Sequence, residues 1–402
     1  MKRAGGLFER VLAYENLRLA FWRASRGKRE RDETRAYRQR LDAELVRLRD
    51  GLADGSYPVG NYRTFVVYEP KERLICAAPF CERVLHHALM NVCAPLFERW
   101  LVADTFACRP GLGQTAALVR GEMLVRRYDW YLKCDIRKYF YSISHDVVAA
   151  MLRRKFKDRR IVFWFLKILS TYEASPGRGL PIGNLTSQYL ANLYLDPLDR
   201  ARAAWGMPCG YARYMDDFVF WSDSKETLRA IQRRLPGFLR DTLRLELKCA
   251  PALNRTAMGM DFLGLRLTKG GIRASRHALR RYRARVRALE GRHRRGLLGE
   301  DELAASVTSM TAFLRLADTA AWRRSRLVTE TGEWPLGRLA CNGAGAGTTT
   351  PATAALPDAT TTRPPTAITT SASGSPCRPA PQYCHPARRP VDSPSPFSVS
   401  GC

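Results

Sequence analysis

Tyr211-Ala-Arg-Tyr-Met-Asp-Asp-Phe-Val-Phe-Trp221 sets an acidic pair, Asp216 and Asp217, inside a run of apolar and aromatic residues. Adjacent carboxylates amid strand formers lose hydration and repel one another, so they are costly unless a cation meets them. A plain β-turn would account for an isolated Asp-Asp, because Asp favours turns. The apolar frame favours more than that: a β-hairpin with the pair at its turn. A matching carboxylate lies upstream, where Asp135 ends the short apolar strand Trp130-Tyr-Leu-Lys-Cys134. Aspartates at rigid strand ends suit phosphoryl transfer onto a hydroxyl assisted by two Mg²⁺ ions about 4 Å apart. Mg²⁺ takes hard oxygen ligands, usually a few carboxylates completed by phosphates.

The rest of the chain fits a polyanionic partner. Across 402 residues, 66 Lys and Arg face 38 Asp and Glu, a net charge of +28. Such a surplus speaks about partners and points to nucleic acid. The opening residues lack the apolar run of a secretory signal, and the longest apolar run, 161–170, contains Lys167 and is too short to span a bilayer. A soluble, cytoplasmic protein is expected. The 11 cysteines form no C-x-x-C pair, which argues against a zinc ribbon or zinc-bearing nuclease domain. His86-His87 reads as structural, since neighbours on a helix point apart.

Periodicity predicts helices over 7–54, 82–99, 147–167, 184–204 and 223–243, strands over 62–75 and 128–136, a hairpin over 211–221, and short strands near Leu245 and Phe262. An arginine-rich helical segment follows over 275–328. After about residue 335, Ala, Thr, Pro, Ser and Gly dominate and periodicity ends, so a disordered tail is expected. With permissible third bases, parts of this tail read in the neighbouring frame as Asn-rich strings, which suggests that the reading frame runs on, out of frame, into a template repeat; an ordinary Thr/Pro/Ala tail is the plainer reading.

Tyr214-Met-Asp-Asp217 resembles the signature of reverse transcriptases, and the resemblance runs over roughly residues 10–330. Lys71-Glu-Arg73 with Arg83-Val-Leu-His-His-Ala-Leu, Phe106-Ala-Cys-Arg-Pro-Gly111, Lys133-Cys-Asp-Ile-Arg-Lys-Tyr-Phe140 and Met260-Asp-Phe-Leu-Gly264 resemble, in order, two fingers motifs, the first palm motif and the primer grip. The resemblance implies an α+β right-hand polymerase fold: a helical N-terminal extension (1–60), fingers and an antiparallel palm backed by helices (61–270), a helical thumb (271–334) and the tail (335–402). The implied activity is RNA-directed DNA polymerisation, with template RNA, cDNA and dNTPs as partners and no membrane.

The same resemblance assigns roles. Asp135, Asp216 and Asp217 are the implied catalytic carboxylates, with Ile136 joining them in the metal set for two Mg²⁺. Lys248 would protonate the leaving pyrophosphate. Lys71, Arg73 and Arg109 are candidates for phosphates, and Phe140 for the steric gate that rejects a 2′-hydroxyl; a core phenylalanine is the plainer reading of Phe140. Ile182, Gly183 and Gln188 belong to the loop and helix under the incoming base pair. Ile182-Gly183 and Ser187-Gln188 stand where most bacterial relatives carry Gln-Gly and Ser-Pro. This resembles the branch in diversity-generating retroelements, error-prone at template adenines and implying a small basic accessory protein as partner. A group II intron-like or defence-associated reverse transcriptase is the alternative within the class. An inert RNA-binding assembly protein is the alternative outside it, and the complete aspartate set argues against that.

Overall fold

Strands with apolar residues on both faces need cover on both sides. In a computed structural model that describes residues 4–68, 72–207, 209–317 and 319, the central sheet receives it. All described residues fall in one of the chain's two units, Met1–Gly345. The expected tail, 335–402, lies outside the described residues.

Four helices open the chain: α1 (Phe8–Leu12), α2 (Tyr14–Ser25), α3 (Asp32–Gln39) and α4 (Leu41–Asp54). A two-stranded antiparallel ribbon follows, β1 (Arg63–Val67) with β2 (Arg73–Ala77), then α5 (Phe80–Trp100) and α6 (Gln114–Arg127). Next come β3 (Trp130–Asp135), α7 (Tyr139–Ser142), α8 (His145–Lys155), α9 (Arg159–Leu169), α10 (Leu185–Tyr194) and α11 (Asp196–Ala204). The hairpin β4 (Gly210–Tyr214) and β5 (Asp217–Ser222) precedes α12 (Lys225–Leu243) and β6 (Ala252–Arg255). β7 (Met260–Phe262), β8 (Leu265–Thr268) and β9 (Gly271–Ala274) form a second antiparallel sheet, followed by α13 (Arg276–Arg294) and α14 (Glu300–Leu314).

The central sheet runs in the order β4-β5-β3-β6, all antiparallel. Because side chains alternate across a strand, its two faces enter different cores. Leu132, Cys134, Tyr211, Phe218 and Phe220 join the large core built with α2, α5, α9, α10 and α12. Tyr131, Ala212, Val219 and Trp221 join a second core with α6 and the β7-β8-β9 sheet, through Leu118, Leu124, Phe262 and Leu267. The result is the α+β arrangement expected, an antiparallel palm backed by helices.

Several boundaries differ from the expectations. The predicted helix over 147–167 is two helices. The first ends at Lys155; Asp158 caps the start of the second by accepting from Arg160 N (3.2 Å), and its other oxygen accepts the Leu7 and Phe8 amides. The predicted helix over 184–204 breaks at Leu195. Near Leu245 there is only an isolated bridge, Ile136 with Leu247. Residues of the N-terminal helices, from Leu7 to Leu52, share the large core with α5. A thumb beginning at 271 would cut β9 from its sheet, and the helical part begins at Arg276. No described helix is long and apolar enough to cross a membrane.

Candidate active site

Register builds the site. Asp135 and Asp217 are paired residues at the ends of β3 and β5. Like charges directly opposite across a ladder destabilise it, so this pairing requires a cation. Two lysines supply positive charge. Lys248 Nζ donates to Asp135 Oδ2 at 2.9 Å, and Lys133 Nζ stands 3.3 Å from Asp217 Oδ2. Lys133 lies two residues before Asp135, on the same face of β3, and thus diagonal to Asp217. Its ammonium also donates to the Asp261 carbonyl at 2.7 Å and sits over the Phe262 ring, which joins the carboxylates to β7.

The turn between β4 and β5 is two residues long, since Tyr214 pairs with Asp217. Met215 there takes φ 55°, the left-handed region that a side chain occupies at a cost of about 1–3 kcal/mol. The strain sits immediately before the acidic pair. Burial pushes the Asp217 carboxyl up to about 6 from its ordinary 3.8; the Lys133 charge opposes this and the Asp135 and Asp216 charges add to it. Its Oδ1 is buried without a hydrogen-bond partner.

An orphaned buried carboxylate oxygen beside two further carboxylates is a donor set that fits Mg²⁺. Among the described residues, no three His, Cys, Asp or Glu side chains close into a metal cage. That is the state expected of a site completed by substrate phosphates, since Mg²⁺ is usually held by one or two carboxylates plus such oxygens. Ile136 has only its carbonyl to offer. Arg137 N bonds Glu246 O and Lys248 N bonds Asp135 O, both at 2.9 Å. That pattern makes Ile136 and Leu247 a non-hydrogen-bonded pair, so the Ile136 carbonyl points away from Leu247, to the side of the acidic turn.

The other predicted residues divide. Tyr139 is core, its hydroxyl donating to Ala191 O at 2.5 Å, while Phe140 beside it is only half-buried. The Ile182 carbonyl accepts from Cys76 N at 2.8 Å, which joins this loop to β2. Gly183 has φ 115°, and a Cβ there would come within 3.1 Å of Ile75 Cγ2, so glycine is required. Gln188 is half-buried in the first turn of α10, and Arg73 is exposed on β2. Lys71 lies outside the described residues. Arg109 is a correction to the phosphate expectation: its side chain is 11% exposed and its guanidinium is spent on Glu98 Oε2 (2.7 Å) and the carbonyls of Val102 (2.7 Å) and Thr105 (2.8 Å). It clamps the loop before α6. His86 is buried 3.4 Å from Glu82, and burial pushes the His87 imidazole down to about 4, so both belong to the interior of α5.

Sequence reasoning missed Lys133 and Arg213 as site residues. Each is the one cation in a buried strand of mainly apolar and aromatic residues, and that misfit is the signal that could have found them.

A second tight turn joins β7 to β8. Phe262 pairs with Leu265, so Leu263 and Gly264 are the two turn residues, at φ 49° and 87°. Positive φ at both positions matches the twist of a short hairpin. Gln114 Nε2, at the start of α6, holds the Leu263 carbonyl at 2.8 Å. Between this turn and α13 opens a cleft of about 670 Å³, lined by Gln114, Asp261, Gly264, Arg281 and Tyr282.

Residues 70–267 match the family described as reverse transcriptase (RNA-dependent DNA polymerase). The Escherichia coli K12 protein YkfC is 25% identical over 282 residues, covering 57% of this chain and 72% of that one. The group II intron-encoded protein LtrA of Lactococcus lactis subsp. cremoris is 23% identical over 168 residues, covering 40% of this chain and 28% of that one. Among solved structures, apo telomerase from Candida tropicalis aligns with a TM-score of 0.42 at 8% identity, over 52% of this chain and 47% of that one. The chain therefore carries a reverse transcriptase domain, an RNA-directed DNA polymerase domain with group II intron-encoded relatives. It spans most of YkfC but less than a third of LtrA.

Proposed function

We propose that the chain copies a template RNA into cDNA with dNTPs, and does so inaccurately at template adenines, as the reverse transcriptase of a diversity-generating retroelement. The observation that carries the polymerase reading is the cross-strand pair of Asp135 and Asp217 beside the strained turn bearing Asp216. Asp135, Asp216, Asp217 and the Ile136 carbonyl would hold two Mg²⁺, which when bound supply an activated 3′-hydroxyl and neutralise the triphosphate.

The protein's own groups do the rest. The half-buried Phe140 ring senses the sugar by contact, since base pairing does not report a 2′-hydroxyl. Lys248, near Asp135, holds a proton at Nζ that the leaving pyrophosphate can take. Arg73, exposed on the fingers ribbon, neutralises phosphate as a forked donor. Arg281, in the cleft beside the second turn, offers positive charge to a duplex backbone.

The retroelement subtype rests on Ile182-Gly183 and Ser187-Gln188. The Ile182 carbonyl is tied to β2 through the Cys76 amide, and its side chain has no hydrogen-bonding group to offer a nucleotide. Discrimination then falls back on shape and pairing. The test is deep sequencing of cDNA made by the wild type and by Ile182→Gln, with a small basic accessory protein from the same element present. Errors concentrated opposite adenine, and reduced there in Ile182→Gln, are expected; equal error rates at the four template bases overturn the subtype. The second reading, an intron-associated enzyme, is favoured by the group II intron-encoded relatives. It requires intron RNA flanking the gene, where the first requires an adjacent variable repeat.

A further inference from the structure

We infer that Arg213 is a positioning residue for the metal-binding carboxylates, acting as the hub through which the palm helices and the loop before α6 grip the acidic turn. The inference rests on the metal reading of Asp135, Asp216 and Asp217 and assigns a device that serves it.

Arg213 is fully buried on β4, on the face opposite Asp217, with 0% of its side chain exposed. An apolar residue would fill that place more simply, and its neighbours across the strand are Tyr211 and Phe218. The guanidinium instead makes a fork onto Asp199 of α11, Nε to Oδ1 at 2.8 Å and Nη2 to Oδ2 at 2.5 Å. Its outer edge then reaches two different partners. Nη2 donates to the Asn192 carbonyl of α10 at 3.0 Å, and Nη1 to the Asn192 side chain at 3.1 Å. Nη1 also donates to the Met215 carbonyl at 3.1 Å. That last bond falls on the residue held at φ 55°, whose carbonyl carbon is bonded to the Asp216 nitrogen.

The same residues fasten the loop before α6. Arg213 N donates to Asp104 O at 2.9 Å and Phe106 N to Arg213 O at 3.0 Å, while Asn192 Nδ2 donates to Ala107 O at 2.5 Å. Thr105 and Tyr211 hydroxyls complete the Asp199 carboxylate at 3.1 and 2.8 Å. A buried ion pair of this kind is weak evidence for stability by itself, because desolvation opposes it. What distinguishes this one is where its surplus donors go. They end on a strained turn whose two following side chains carry the chemistry. Only a planar fork can hold Asp199, Asn192 and the turn carbonyl together; a lysine ammonium in the same place is a single point.

The experiment uses the full chain, with Arg213→Lys and Asn192→Ala compared to wild type on a primed RNA template. Three quantities are read: the incorporation rate per active site, with the active fraction titrated; the half-saturating dNTP concentration; and the equilibrium Mn²⁺ affinity of the protein by electron paramagnetic resonance. A merely structural role lowers the active fraction and the melting temperature and leaves the first and third unchanged. The positioning role lowers the rate per site at least tenfold in Arg213→Lys, weakens Mn²⁺ binding several-fold and leaves half-saturation by dNTP within twofold. Asn192→Ala moves the same quantities by less, and decides alone if Arg213→Lys does not fold. A folded variant with rate per site and Mn²⁺ affinity both within twofold of wild type overturns the inference. A wild-type protein that polymerises yet binds no Mn²⁺ overturns the metal reading beneath it.

Discussion

The two ribbons on either side of the site, β1-β2 in the fingers and β4-β5 in the palm, are built in opposite ways. Four of the five β1 residues are exposed, with Tyr68 beyond it 72% exposed, whereas β4-β5 is buried at nine of its eleven positions. One is an exposed ribbon; the other is core that ends in carboxylates. The comparison teaches where preorganisation is placed. The carboxylates are held by two cores and a buried ion pair, whereas the β1-β2 ribbon is left on a surface; on the proposed function, the first would meet metal and the second a polyanion.

The sharpest way to break that comparison is at the palm turn. Asp216→Asn and Asp217→Asn are each expected to abolish primer extension while RNA affinity stays within a few fold, because the lost charge serves metal and not RNA. Extension near the wild-type rate would show that the turn is ordinary structure. Next in size is Asp199→Ala, which leaves the buried Arg213 unpaired and should cost about 3–5 kcal/mol of unfolding free energy in urea titrations. A loss under about 1 kcal/mol would mean that water or another group takes over the pairing.

The third expectation concerns pH. Burial raises Asp217 to about 6 from 3.8, so the folded, metal-free chain keeps a proton that the unfolded chain releases. That contribution to stability is present at low pH and is lost as pH rises through about 6. Mg²⁺ needs the carboxylate, so at sub-saturating Mg²⁺ the extension rate should climb with pH through about 6 and level off above it. Raising Mg²⁺ should shift the climb to lower pH, and a midpoint insensitive to Mg²⁺ would detach it from metal binding. The smallest effect is expected on the exposed ribbon. Leu74→Ser, at an exposed position of β2, should change stability by no more than about 0.5 kcal/mol in the same urea titration. A large loss would show that the ribbon is packed like the palm.

The carboxylates' places along the chain were legible, but the register of β3 against β5 was not. Asp135 at a strand end and Asp216-Asp217 at a turn were apparent from apolar framing, because alternation and turn chemistry are local properties. The helices over 82–99 and 223–243 were legible for the same reason; α6 was not expected, and the division of 7–54 into four helices and the interruptions near Asp158 and Leu195 were not legible. Asp158 starts α9 as its N-cap while its other oxygen accepts the amides of Leu7 and Phe8, about 150 residues away in sequence, and no periodicity reports such a partner.

Residue types at local spacing therefore determined that Asp135 ends a strand, that Asp216 and Asp217 sit at a turn, and that the chain carries a large surplus of positive charge. Only the tertiary structure decided what each cation does. Arg109 looked like a phosphate ligand and is turned inward onto Glu98, while Lys133 and Arg213, two strand residues among many basic ones, are turned onto Asp217 and beneath Met215. The physical reason is that a guanidinium or ammonium acts over a few ångströms, and whether it meets phosphate, carboxylate or carbonyl depends on partners that come from distant parts of the chain. A sequence names the charge and its neighbours along the backbone; the fold chooses the neighbours in space.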